Sequence, residues 1–485
     1  MKKKSLGINA IVNLLRNIVN IIFPIVTFPY ASRILGVESL GIYNFSYSVS
    51  NYFLLLASLG ISTYAVREGA KYRNDHIKMR NFANEVFSIN IISTLFAYLC
   101  MIIIFLFPIM PSKYIMTISV FSLQLIFTTV GVEWLYTIYE EFTYITIVNI
   151  VFKIISVFLL FLFVKSKNDY IAYAAVTVFA IVGSNLFNYI HMKKVLKFHL
   201  TFKINLKKHI LPILMIFASN VAVAVYVNID VTMLGFMKGD YAVGIYSVAV
   251  KIYNVIKNVL AAILIVSIPR LAMLISEKKQ EEFKNLASNI YNIISILLIP
   301  AVCGIFLLSK DIVCLVAGNS FYNSTKSLQL LSIALMFAIF SWLFSQCILI
   351  PMKQEKIVLV ATILSAVINT ILNIVLIPIW KENAAALTTI IAELISAVIG
   401  ARYSWKHLNL KKIYVNIREV IVATIIMVIA IVIVKRIVIS TIATLFISIV
   451  VGGCLYFIVL LVLKNKIVTK NLQKILEKIR RKEYV

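Results

Sequence analysis

The sequence predicts an all-α integral membrane protein of about fourteen transmembrane helices: two parallel six-helix lobes around a central cavity, followed by two extra C-terminal helices. Three observations predict it. Of 485 residues, 61% are hydrophobic and 14% charged, whereas soluble domains are roughly half apolar and a quarter charged. The apolar residues gather in runs of about 20, the length that crosses the hydrocarbon core. The basic residues, which give a net charge of +27, occupy the short segments between those runs in an alternating pattern, as the positive-inside rule requires.

Runs near 8–31, 40–64, 85–108, 114–137, 142–164, 170–190, 209–235, 242–267, 288–308, 327–350, 357–379, 384–401, 419–434 and 438–463 supply the fourteen spans. Pro108 and Pro111 are expected to close the third, Pro269 the eighth, Pro351 the tenth and Pro378 the eleventh, because proline lacks the helical N–H. The opening MKKKSLG and its apolar run imitate a secretory signal, but the run holds Arg16 and outlasts the usual ~7–15 residues, so it is read as the first span. With the N-terminus in the cytoplasm, 33 of the 47 Lys and Arg fall in inside segments and 10 in outside ones. That bias places both termini in the cytoplasm.

Near the start of the second span stand Ile34-Leu35-Gly36 and Gly41-Ile42-Tyr43; near the start of the eighth stand Met233-Leu234-Gly235 and Gly244-Ile245-Tyr246. Two such echoes between an odd and an even span indicate parallel repeats, related by an axis along the membrane normal. The expected organisation is therefore an N-lobe over 1–208 with spans 1–6, a C-lobe over 209–412 with spans 7–12, and an appendage over 413–485. The appendage ends in a basic tail in which Ile467, Leu472, Ile475 and Ile479 lie among lysines; it reads either as an amphipathic helix on the anionic inner leaflet or as a solvated tail.

Several function classes fall away. The basic residues serve topology, so nucleic acid is not an expected partner. Cys100, Cys303, Cys314, Cys347 and Cys454 form no CxxC pair, and no metal site or disulfide framework is expected. His76, His191, His199, His209 and His407 are assigned to basic loops or their margins. No phosphate-binding loop, nucleophile elbow or zinc motif is present and the loops are short, so no enzymatic activity and no cofactor is expected.

What remains is polar chemistry inside the spans. Along the first, Asn13, Arg16, Asn20 and Thr27 share one narrow face at 100° per residue. Asn44, Tyr47 and Asn51 do so in the second, Thr146, Asn149, Lys153 and Ser156 in the fifth, Ser219, Tyr226 and Asp230 in the seventh, and Ser247, Lys251, Asn254 and Asn258 in the eighth. Unpaired polar groups in hydrocarbon cost several kcal/mol each, so such faces look at protein or water. They are expected to converge on a cavity lined by Arg16, Lys251, Lys153, Arg33, Asn13, Asn20, Asn51 and Asn254. Lys257 lies about 120° round the helix from Lys251 and is expected to face another neighbour. Asp230, the expected partner of Lys251, and Glu133 are candidates to balance those cations or to bind a coupling H⁺ or Na⁺. Glu393 is expected at an interfacial helix end.

At residues 28–73, FPYASRILGVESLGIYNFSYSVSNYFLLLASLGISTYAVREGAKYR, the chain resembles the Wzx-type polysaccharide flippases of the multidrug/oligosaccharidyl-lipid/polysaccharide exporter superfamily. GVEWLYTIYEEFTYITIVNI at 131–150, NIDVTMLGF at 228–236, GIYSVAVKIYN at 244–254 and Pro269-Arg270-Leu271 fit the same family, although Thr137 and Ile138 stand where many members have Gln-Gly. The resemblance implies a flippase in the bacterial cytoplasmic (inner) membrane, moving undecaprenyl-pyrophosphate-linked oligosaccharide to the outer leaflet by alternating access. It implies surface-polysaccharide biosynthesis, with a polymerase and glycosyltransferases as further partners, and a cavity role for Arg16, Lys251, Asp230 and Arg33. The cation ladder suits a diphosphate. Three other readings stay open: a lipid-linked peptidoglycan-precursor flippase, a cation-coupled multidrug antiporter of the same superfamily, and a non-transporting envelope scaffold.

Overall fold

The computed structural model describes residues 6–107, 110–470 and 473, without the side chains of 6–11, 13, 14, 17, 21 and 415. Among the described residues every regular element is helical, and twelve helices are long and apolar enough to cross a membrane. Their outer faces carry exposed large apolar side chains such as Ile154, Phe158 and Leu162, a surface that only lipid satisfies over so many helices. The chain is a multi-pass membrane protein. It divides into two compact units, Met1–Ser247 and Val248–Val485.

The first unit begins with α1 (Leu6–Ser58), which at 53 residues would run ~80 Å if straight, more than twice the hydrocarbon core. It is broken at Gly36, whose φ of 72° and ψ of −175° leave the helical region for one that favours glycine. The two arms run back along each other: Arg16 on the first arm bonds Glu133, and Ser58 on the second lines the same cavity as Glu133. One helix by hydrogen bonding is thus two crossings, the first and second expected spans.

After α2 (Ile61–Gly69), α3 (His76–Leu106) is capped by Asp75, whose Oδ1 accepts from the backbone N–H of Lys78 at 3.0 Å and Ile77 at 3.1 Å. Those contacts, Lys78 foremost, hold the Asp75 carboxyl below the usual carboxylate range. The expected fourth span is interrupted. α4 (Ser112–Val130) stops, Val132 turns the chain at φ 42°, and α5 (Glu133–Tyr139) follows. Glu133 therefore stands at a break within the span, in the first turn of a short helix, where the helix dipole favours a negative charge.

Helices α6 (Phe142–Phe163), α7 (Tyr170–Leu196), α8 (Leu206–Lys238) and α9 (Asp240–Ser276) complete the sequence through the unit boundary. A buried cluster of Tyr64, Phe82, Trp134, Tyr136, Met192 and Ile213 ties α2, α3, α5, α7 and α8 together. His209, assigned by sequence to a basic loop, is fully buried in α8. Its Nδ1 lies 2.6 Å from the Tyr64 hydroxyl and its Nε2 3.0 Å from Glu85 Oε2.

Glycine decides how α1 meets α8 and α9. A Cβ on Gly41 would lie 1.9 Å from the backbone oxygen of Asp240, and one on Gly244 would lie 2.0 Å from the backbone oxygen of Val37. The two approaches are reciprocal. Each glycine also follows, five residues on, a glycine of like conformation: Gly36 at φ 72°, ψ −175° and Gly239 at φ 78°, ψ −171°. The internal echo is therefore a repeated backbone device. Its register differs from the one read in sequence, which set Gly36 against Gly235; Gly235 instead receives the ring of Phe45, 2.0 Å from where its Cβ would be.

The second unit holds the remainder of α9, then α10 (Gln280–Ala317), α11 (Ser324–Trp342) with a π-helical continuation over Leu343–Leu349, α12 (Glu355–Ser404), α13 (Leu410–Ile437) and α14 (Thr441–Val462). Like α1, α12 is two crossings. It breaks at Lys381, φ 50°, ψ −129°, and its arms lie side by side, Thr388 donating to Asn373 Oδ1 at 2.7 Å and Asn369 donating to Thr388 Oγ1 at 3.3 Å. Splitting both long helices brings the twelve to fourteen.

Two expected stops fail. α9 runs through Pro269 and α12 through Pro378, since neighbouring helices and local adjustment re-satisfy the freed backbone group in spanning segments. The contact-based unit boundary falls inside α9, because α8 packs on α1: Ser48 donates to the Asn228 carbonyl at 3.1 Å and meets Thr232 at 2.8 Å. Division by contact and division by repeat are different quantities here. Of the C-terminal tail, Leu472, Ile475 and Ile479 lie outside the described residues.

Candidate functional site

The polar face of the first arm of α1 meets α5 and α6. Arg16 donates to Glu133 Oε2 at 2.8 Å, the two side chains being 23% and 41% exposed. One turn on, Asn20 Oδ1 accepts from Lys153 Nζ of α6, and that ammonium stands 5.5 Å from the centre of the Phe23 ring. Arg16 and Asn20 are i and i+4, neighbours on a helix surface, so these two members of the stripe contact α5 and α6 side by side, while Thr27 donates to the Phe23 carbonyl of its own helix. Asn13 belongs to the same face by spacing, but its side chain lies outside the described residues.

Beside Glu133 is a cavity of about 220 Å³, lined among others by Ser58, Ser62, Asn90, Asn149 and Asn185. Of the residues that line it, Asn149 Oδ1, Asn185 Oδ1 and Trp134 Nε1 are buried without a hydrogen-bond partner. Buried polar atoms normally find one, and hydroxyls, amides or water in the cavity would supply it. The volume is below the ~300–1,000 Å³ of a pocket that encloses a small ligand, so the cavity suits one part of a larger cargo.

The remaining candidates divide. Asn51 donates to Asn228 Oδ1 at 3.3 Å, and Tyr52 meets Thr232 at 3.2 Å; Asn51 joins α1 to α8. Asp230 is buried and accepts from the Tyr246 hydroxyl at 2.8 Å. Arg33, near the end of the first arm, is exposed. In the second unit Lys251 is half-buried, and Asn254 and Asn258 are exposed along the same face of α9.

Lys257 does face another neighbour. It bonds Glu393 Oε1 at 3.0 Å, and the Tyr253 hydroxyl donates to the same oxygen at 3.3 Å. Glu393 is 5% exposed, so it is a buried ion-pair partner rather than an interfacial acid. Removing the cation leaves a buried carboxylate unpaired, which costs about 3–5 kcal/mol. Lys257→Met is accordingly expected to lower the thermal midpoint sharply in detergent, and Lys257→Met with Glu393→Leu to recover most of it. A single variant as stable as the parent would remove this pair from the fold's support.

The sequence did not single out Ser62, Asn90, Trp134 or Asn185. Both asparagines have same-face polar neighbours in the sequence, Asn90 with Ser93 and Thr94 and Asn185 with Asn188, a signal that was there to be read. Their role emerges only when α3, α4, α5 and α7 are brought around one void.

The model of the family described as "Polysaccharide biosynthesis protein" matches residues 6–275, more than half of the chain and all of the first unit's described helices. The chain belongs to this family. A relative in Escherichia coli (strain K12), named "Putative O-antigen transporter", is 24% identical over 308 residues, 62% of this chain and 68% of that one. A relative in Haloferax volcanii, named "Probable low-salt glycan biosynthesis flippase Agl15", is 25% identical over 202 residues, 42% of this chain and 43% of that one. Among solved structures, "Lipid II flippase MurJ, inward closed conformation" superposes with a TM-score of 0.77 over 95% of this chain and 99% of that one, at 16% identity. That likeness establishes the shared all-helical fold.

Proposed function

We infer that this member of the polysaccharide biosynthesis family is a flippase for lipid-linked oligosaccharides, moving undecaprenyl-pyrophosphate-linked repeat units from the cytoplasmic to the outer leaflet by alternating access. The observation that carries the reading is the pairing of Arg16 with Glu133 and of Lys153 with Asn20 beside a cavity of neutral hydrogen-bonding groups. Arg16 is paired with a carboxylate and Lys153 with a neutral amide, and each cation has further N–H donors to offer. A diphosphate supplies the anion they lack, and charge-assisted contacts to phosphate are the strong ones. The names of the Escherichia coli and Haloferax relatives support the cargo class.

In this reading the empty carrier keeps Arg16 on Glu133, since an unpaired cation in the membrane is costly. Arriving phosphate competes for the guanidinium, the sugars exchange water for the amides of Asn149 and Asn185, and the lipid tail stays in the bilayer. The Lys and Arg bias supports an inner-membrane orientation with both termini in the cytoplasm. An inside-negative potential favours outward movement of two negative charges by roughly 4–5 kcal/mol at 100 mV. Glu133 and Asp230 are the acids that would take up a coupling H⁺ or Na⁺.

The test is lipid extraction from a strain lacking the gene, with mass analysis of polyprenyl-pyrophosphate oligosaccharide and rescue by the wild-type protein, Arg16→Ala and Lys251→Ala. The expected result is accumulation of a complete repeat unit with loss of surface polymer, reversed by wild type and not by either variant. Normal surface glycan with no accumulated lipid would sink the assignment. Full rescue by both variants would keep the function and remove these cations from it.

A further inference from the structure

The second unit contains a larger cavity that plays no part in the reading above. It has a volume of about 650 Å³ and opens where α10, the start of α13 and the chain just after α14 come together. Its floor is neutral and buried: Asn292, Asn416 and Asn465 are 3%, 5% and 0% exposed. Its rim is basic: Lys411, Lys412, Lys466 and Lys470 line it, all exposed.

The floor is held by its own hydrogen bonds. Asn416 donates to the Asn292 carbonyl at 3.4 Å, Asn465 donates to Asn416 Oδ1 at 3.1 Å, and Asn465 Oδ1 accepts from the backbone N–H of Ile467 and Val468. Among the described residues Glu419 is the one carboxylate that lines the cavity; it accepts from Asn465 Nδ2, so it is spent on the floor while four lysines line the rim. One atom is left over. Asn292, which lines this cavity, has its Oδ1 buried without a partner, an acceptor on a residue of a basic-rimmed void.

We propose that this cavity binds the headgroup of an anionic glycerophospholipid. The phosphate sits among Lys411, Lys466 and Lys470, and a headgroup hydroxyl donates to Asn292 Oδ1. Both demands must be met at once: the rim needs an anion, and the floor needs a donor that a phosphodiester group alone does not carry. The setting selects lipid over a soluble phosphate ester. α13 begins at Leu410 and α14 ends at Val462, so the opening lies where spanning helices leave the apolar zone. Tyr414 and Val462 on those helices are strongly exposed and offer a surface for acyl chains. Basic pockets between helices at a membrane surface are suited to anionic headgroups, each lysine contributing about a fivefold gain in affinity.

The full-length protein in phosphatidylcholine nanodiscs, titrated with phosphatidylglycerol and followed by native mass spectrometry, tests the site. Lys411→Ser/Lys466→Ser/Lys470→Ser is expected to weaken retention of phosphatidylglycerol on the order of a hundredfold. Lys193→Ser/Lys194→Ser/Lys203→Ser, three exposed lysines of the first unit, should leave it unchanged. Asn292→Leu should abolish the preference for phosphatidylglycerol over phosphatidic acid and leave phosphatidic acid binding intact, a selectivity that a folding defect does not mimic. Equal losses in both lysine triples, or none in the first, would overturn the proposal. Saturable binding of glycerol phosphate without lipid, displacing phosphatidylglycerol, would overturn the lipid source and leave a soluble phosphate ester in its place.

Discussion

Gly41→Ala is expected to be among the most damaging single-methyl changes in this protein. The added Cβ would stand 1.9 Å from the Asp240 carbonyl oxygen, 2.7 Å from its carbon and 3.0 Å from its Cα. All three are backbone atoms, so no rotamer change relieves the clash and the crossing helices must separate. Overpacking a core costs typically 1–3 kcal/mol, and a backbone clash belongs at the upper end or beyond. Asp240 cannot retreat freely, because its carboxylate holds Lys113 and accepts from the Tyr114 hydroxyl. Gly244→Ala meets Val37 in the same way and should behave alike.

The double variant should cost less than the two singles added, because one separation of the helices accommodates both methyls and shared contacts are not additive. Gly304→Ala is the control, its Cβ having nothing within 4 Å. Thermal unfolding in detergent, with complementation of surface polymer in cells, reads both stability and function. Gly41→Ala as stable as Gly304→Ala would show that the crossing is looser than its geometry.

The fold was legible because a membrane imposes few choices. Every backbone polar group in hydrocarbon must be satisfied within its own segment, so apolar runs of sufficient length are helices, and loop lysines order them. The repeat was legible as residues but not in register. Leu35-Gly36 matches Leu234-Gly235 as a string, whereas what recurs physically is a left-handed glycine five residues before a close approach, Gly36 with Gly41 and Gly239 with Gly244. Similar letters can follow a helix's packing needs; the turn follows its φ and ψ.

The site was legible by face and not by partner. Periodicity placed Arg16, Asn20 and Lys153 on polar stripes, and all three have their hydrogen bonds there. It could not supply the partners, since Arg16 and Glu133 lie 117 residues apart and Lys153 and Asn20 lie 133 apart. Glu393 was misplaced for the same reason: an acid near a span end reads as interfacial until Lys257 is found beside it. Asn90, with Ser93 and Thr94, and Asn185, with Asn188, did carry a helical polar spacing, but it has no formal charge in it and was passed over for the stripes that do.

Exchanging the charges of the Arg16–Glu133 pair separates structure from transport. If the pair only ties α1 to α5, Arg16→Glu with Glu133→Arg keeps an ion pair between the same elements, and both stability and flux should recover. If Arg16 is also the anion's ligand, the swap moves the cation to a short helix N-terminus, where the dipole disfavours it, and places a carboxylate on the first arm of α1. Stability should then return while transport does not. The expected loss is roughly ten- to hundredfold in flux, following the ~1.5–3 kcal/mol of a hydrogen bond to a charged group. Glu133→Gln sharpens the distinction, because it frees the guanidinium from its competitor and is expected to retain or raise affinity for a diphosphate while lowering stability. Binding of a short-chain polyprenyl diphosphate to purified variants, measured beside their unfolding midpoints, decides between the two. A swap that restores flux to the wild-type level would make Arg16 a strut of the fold, and the phosphate would have to be sought at Lys153 and Lys251 instead.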